Sequence, residues 1–164
     1  MERGRWDALF ADLEAELDGE EARELDAEVR DRAAVEHARL TLADRLVAHV
    51  GAHVAVTTAG AGVLRGRLTG AARDWLTVGD TLVPRLAVLG VSGLGEAATE
   101  PEERPRAPRT IASVLRGMAY EGPVTCVFTD GRTLTAPIER VGKDHVDLGG
   151  TAVPFRAVAA IRPA

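Results

Sequence analysis

The chain has 164 residues, 46% apolar and 27% charged, the composition of a globular protein with room for one ordinary domain or two small ones. Its net charge of −5 is unevenly divided: residues 1–40 hold 6 Arg against 13 Asp or Glu, a net of −7, whereas residues 41–94 sum to +2 and residues 111–164 to +1. A single cysteine, Cys126, excludes an internal disulfide framework and a Cys-based metal site, and the acidic, charge-interrupted start excludes a signal peptide or membrane span, so the expected location is cytoplasmic.

At the start of the chain, Trp6, Leu9, Phe10, Leu13 and Leu17 recur at spacings of three and four, the stripe of an amphipathic helix. Asp18 and Gly19 interrupt the stripe, and Leu25, Val29 and Ala33 resume it, so residues 1–40 read as an acidic helical arm with a possible break. Trp6, Phe10, Leu13 and Leu17 would need a partner surface. The arm is therefore expected to dock on the rest of the chain or to join a partner protein or another copy.

Thr41 opens TLADRLVAHVG, where Thr41 and Asp44 have capping-box spacing and Gly51 stands where a helix would stop. Val54, Val56 and Thr58 then alternate with Ala55 and Thr57, and Gly60, Ala61 and Gly62 supply a turn. Leu64, Gly66 and Leu68 alternate against Arg65 and Arg67, completing a hairpin with one buried face. Short strands come next at 75–79, 81–83 and 88–91, with Pro84 closing the second of these. Five short strands at this spacing predict a small, strongly curved barrel. Residues 94–109, rich in proline and lacking apolar periodicity, read as a linker. Thr110 opens a second short helix, TIASVLRGMAYEG.

The stretch from Val124 to Pro163 is a second copy of the stretch from Val54 to Gly93. Sliding the chain by 70 aligns residues 54–93 with 124–163 without a gap, with nine identities, among them Val54/Val124, Leu64/Leu134, Asp74/Asp144, Pro84/Pro154 and Val88/Val158. Leu68/Ile138, Leu76/Val146 and Val78/Leu148 are conservative pairs at core spacing, and Cys126 takes the place of Val56. The expected fold is mainly β with helices: an arm over 1–40, a helix and barrel over 41–93, a linker over 94–109, and a second helix and barrel over 110–164.

The order of short helix, long hairpin and three short strands, with the phrase VTCVFTDGRTLTAPIERVGKDHVDL, resembles the Sm-like family of small SH3-like barrels, here as a tandem bacterial member. Asp130, Gly131 and Arg132 match that family's turn in the second copy, and Gly66 matches its inward glycine in the first. Other SH3-like barrels, including the PRC-barrel type, share the Leu-Val-Pro phrase before an apolar strand. The resemblance implies two five-stranded barrels and RNA as a candidate ligand. The positions at which RNA-binding members carry their stacking and recognition residues are occupied here by Gly60-Ala61-Gly62, Pro84-Arg85 and Pro154-Phe155.

Nothing in the sequence builds a catalytic or cofactor site. His49 and His53 have the spacing of two ligands on a helix face, but Gly51 falls between them, and His37 and His145 add no third ligand. Ser92 and Ser113 lack a neighbouring histidine. Asp74 and Asp144, each just before a strand, suit turn hydrogen bonding. Gly60-Ala61-Gly62 joins strand to strand, whereas a phosphate loop joins strand to helix. Two readings remain. One is a non-catalytic interaction module whose arm or open strand edges join a partner or another copy. The other is a nucleic-acid-binding protein using Arg65, Arg67, Arg132, Arg140 and Lys143, with the acidic arm competing for the same residues.

Overall fold

The computed structural model of the chain describes Ala38, residues 40–95 and residues 110–164. Two compact units divide the chain, residues 1–40 and residues 41–164. The arm expected over residues 1–40, with Trp6, Phe10, Leu13 and Leu17, lies outside the described residues, as does nearly all of the linker.

Among the described residues there are two α-helices and eleven strands. Helix α1, Leu42–Ala48, begins at the predicted capping box: Asp44 N donates to Thr41 Oγ1 at 3.3 Å and Thr41 N donates to Asp44 Oδ2 at 2.8 Å. Gly51 follows at φ +101° and hands its N–H to Leu68 O at 2.7 Å, turning the chain off the helix into the sheet. Helix α2, Ile111–Met118, is capped by Thr110, whose Oγ1 accepts from Ser113 N at 3.3 Å.

The first half supplies β1 (His53–Thr58), β2 (Gly62–Ala71), β3 (Trp75–Val78), β4 (Thr81–Pro84) and β5 (Val88–Ser92), with a 3-10 turn at Arg85–Ala87. The second supplies β6 (Val124–Phe128), β7 (Thr133–Ala136), β8 (Ile138–Val141), β9 (His145–Leu148), β10 (Thr151–Pro154) and β11 (Val158–Pro163), with a 3-10 turn at Phe155–Ala157. Period-two burial fixes the register. Val56 stands opposite Leu64, Leu76 opposite Val83 and Leu68 opposite Val78; Cys126 opposite Leu134, Val146 opposite Val153 and Ile138 opposite Leu148. These pairings recur at the offset of 70 read from the sequence.

The second half departs at Pro137, which stands where the first half has Arg67. Arg67 lies within the unbroken strand β2, opposite His53. Proline has no N–H to give a ladder, and the corresponding strand is divided there into β7 and β8.

Two separately closed barrels are not what forms. The strands make an open eight-stranded antiparallel sheet, ordered β5-β1-β2-β3-β4-β11-β6-β7, and a three-stranded sheet, β10-β9-β8. Strand β11 pairs with β6 in its own half, Ile161 opposite Cys126, and with β4 of the other half, Ile161 opposite Leu82. Composition explains why β11 becomes a central strand. Val158, Ala159, Ala160 and Ile161 are all buried, which requires cover on both faces. Two consecutive alanines leave room for neighbours there, whereas β5 carries Leu89 and Gly90 at the same places and leaves Leu89 exposed.

The cores interlock accordingly. Ala160 packs with Leu46, Val54, Val56, Leu68 and Val83 of the first half, while Leu82, Trp75 and Ala72 pack with Leu115, Val146, Leu148 and Val153 of the second. Each half completes its core with side chains of the other. The two hairpin turns also meet: Gly60, at φ +92°, lies so close to the β6–β7 turn that an added Cβ would overlap Phe128 O.

Candidate functional site

The five cations expected to contact nucleic acid stand at several places rather than in one patch. Arg65 and Arg67 occupy the exposed side of β2, opposite Ala55 and His53. Arg132, in the β6–β7 turn, is engaged locally: its N–H donates to Asp130 Oδ1 at 3.0 Å and its Nε to Asp130 Oδ2 at 2.8 Å, with the guanidinium 5.9 Å from the Phe128 ring centre. These bonds hold the Asp130 carboxyl below the usual aspartate range. The Asp-Gly-Arg turn is thus closed on itself. Arg140, on β8, faces Asp147 at 3.8 Å. Lys143, in the β8–β9 turn, belongs to a cleft.

That cleft, about 300 Å³, opens along the seam between the halves. The β2–β3 turn brings Arg73 and Asp74, the 3-10 turn after β4 brings Arg85 and Leu86, and the second half contributes Lys143 and Phe155. Backbone bonds set this geometry. Arg85 N donates to Asp74 O at 2.9 Å, and Arg85 Nε donates to Arg73 O at 2.6 Å, tying the 3-10 turn to the β2–β3 turn. Asp74 Oδ2 accepts from Ile111 N at 3.2 Å, so this carboxylate serves the first turn of α2. Its counterpart Asp144 instead bonds His145, Oδ1 to Nδ1 at 2.9 Å, which lowers its pKa. Arg73, Arg85 and Phe155 belong to no sequence motif that marks a site. The available signal was the offset, which sets Arg73 opposite Lys143, a cation before the same strand in each half.

The histidine pair is divided between two tasks. Both ring nitrogens of His49 are engaged: Nδ1 donates to Arg45 O at 2.7 Å and Nε2 accepts from Gly95 N at 2.8 Å, so the ring pins the segment after β5 to α1. His53 opens β1, exposed to solvent. Cys126 is fully buried in β6, and burial pushes its thiol up to about 11, as befits a core residue in a valine's place. Among the described residues no group of three His, Cys, Asp or Glu is placed to hold a metal ion, and no helix is long and apolar enough to cross a membrane.

The remaining unusual surface is made of backbone. Strands β5 and β10 each have a neighbour on one side, β1 and β9 respectively, and end their sheets among the described residues. Neither carries a charge: β5 reads VLGVS and β10 reads TAVP. Leu89 on β5 is 70% exposed and Leu86 just before it 78%. No protein-family model, curated protein or solved structure matches this chain.

Proposed function

We propose that this chain is a non-catalytic assembly module that joins copies of itself edge to edge, β10 of one copy against β5 of the next. One observation carries the reading. Inside the chain the halves are joined by β4 and β11, Leu82 opposite Ile161. Their counterparts at the offset of 70 are β10, beginning at Thr151 where β4 begins at Thr81, and β5, beginning at Val88 where β11 begins at Val158. Both are open edges; among the described residues β7 and β8 end the same two sheets on their other sides. Leu82 and Ile161 are buried at the internal join, whereas Ala152 is exposed and Val91 half-buried.

Unpaired edges are a liability that soluble proteins usually blunt with charge, and neither of these is so protected. Pairing β10 with β5 of a second copy satisfies their backbone groups and covers Leu89. Such a contact is head-to-tail, so it closes into a ring or continues as a filament according to the rotation between copies.

The test is sedimentation velocity of the full chain over a concentration series, beside Leu89→Lys and Ala152→Lys. Each variant sets a charge on one edge at an exposed side chain, Leu89 on β5 and Ala152 on β10. Assembly of the native chain, with both variants reduced to monomers of unchanged circular dichroism, is expected. A native chain that stays monomeric throughout, or variants that assemble as it does, would overturn the reading.

A further inference from the structure

We propose that the seam cleft is a binding site for a phosphate monoester carried on a planar aromatic body, the chemistry of a mononucleotide. Three cations reach it from separate turns: Arg73, Arg85 and Lys143. Among the described residues none of them is ion-paired, in contrast to Arg132 and Arg140, which have Asp130 and Asp147. With Asp74 as the one carboxylate in the lining, the cleft carries 3 − 1 = +2. A phosphate monoester carries about −1.5 to −2 at neutral pH, which balances that charge where a carboxylate would leave half of it. Asp74 does not compete strongly for the cations, because its Oδ2 already accepts the Ile111 N–H.

Arg85 is held for this role. Its Nε is bound to Arg73 O at 2.6 Å, which orients the guanidinium while leaving its terminal nitrogens to reach a phosphate in the two-pronged manner arginine favours. The opposite wall is apolar. Phe155 takes the position of Arg85 in the second half and faces the cleft, with the exposed Leu86 nearby. A flat ring laid on Phe155 withdraws both from water. A cleft of about 300 Å³ suits one such unit. The site exists only because β11 pairs with β4, which sets the turns of the two halves side by side. It does not depend on assembly through β5 and β10.

Isothermal titration of the full chain with adenosine monophosphate, adenosine and inorganic phosphate tests the proposal, with 5′-phosphorylated and unphosphorylated oligoadenylate as further arms. Saturable binding of the monophosphate, stronger than that of phosphate or adenosine, is expected. Arg85→Gln and Lys143→Gln should each weaken it by about tenfold or more, the loss of one charge-assisted hydrogen bond, and Phe155→Leu should bring its affinity toward that of phosphate. Arg140→Gln, the same charge change at a side chain 87% exposed and outside the cleft, should leave it unaltered. Thermal melting of each variant checks folding, and Lys143→Gln removes no hydrogen bond of the fold. Phosphorylated oligoadenylate binding as well as the monophosphate would identify a strand end as the source of the ligand, and its refusal would identify the free nucleotide. Absence of saturable binding, equal binding of phosphate alone, or equal weakening by Arg140→Gln would overturn the proposal.

Discussion

The pairing of β4 with β11 is open to a quantitative test through Leu82 and Ile161. Both side chains are fully buried, at 0% and 1% exposure, in the same core cluster and directly opposite one another. Truncating either to alanine removes several buried carbons and leaves a cavity that the sheet cannot fully close, a loss of about 2 to 5 kcal/mol for each. Because each side chain forms part of the other's cavity wall, the second truncation removes contacts already lost in the first. The double variant should therefore fall short of the sum by roughly 0.5 to 3 kcal/mol. Two separately closed barrels would put Leu82 and Ile161 in different cores, and the losses would add. Urea unfolding followed by circular dichroism supplies the four free energies of the cycle. The control is Leu68→Ala with Ile161→Ala, whose side chains lie in different clusters and should be additive to about 0.5 kcal/mol. Since two such losses approach the whole stability of a domain, roughly 5 to 15 kcal/mol, Ile161→Val offers a gentler arm of the same cycle. Additivity at Leu82 and Ile161 would refute the shared sheet.

Close packing and burial set two other outcomes. Gly60→Ala should be strongly destabilising, because its Cβ would overlap Phe128 O, whereas Gly62→Ala, with open space around it and a φ of +70°, should show only the smaller strain of the left-handed region; comparing melting temperatures separates the two. Cys126 should resist a thiol reagent in the native chain and react on unfolding. Its folded pKa of about 11 against an ordinary value of 9.0 makes its contribution complete below pH 9 and lost as pH rises toward 11, by roughly 1.4 kcal/mol per pH unit within that window. Cys126→Val should flatten the fall of urea midpoint over that range, and an unchanged slope would show that the thiol is not held protonated by the core.

Several features of this protein arise from local chemistry and could be read from the residues alone. Thr41 and Asp44 at a spacing of three make a capping box wherever a helix begins. Alternation along Val54, Val56 and Leu64 decides which face is buried, and the offset of 70 carries the same register to Val124, Cys126 and Leu134. What alternation does not encode is the neighbour. Val158–Pro163 and Val88–Ser92 align without a gap, yet β11 is central to a sheet that crosses both halves while β5 is left at its edge. A strand's hydrogen bonds run sideways through backbone groups that every residue but proline possesses, so the partner is chosen by packing at a distance. Here the paired alanines of β11 admit cover on both faces, Pro137 divides the second half, and Leu82 finds its place in the other half's core. The cleft has the same origin: Arg73, Arg85 and Lys143 are scattered in the sequence, and only the pairing of β4 with β11 sets their turns around one space.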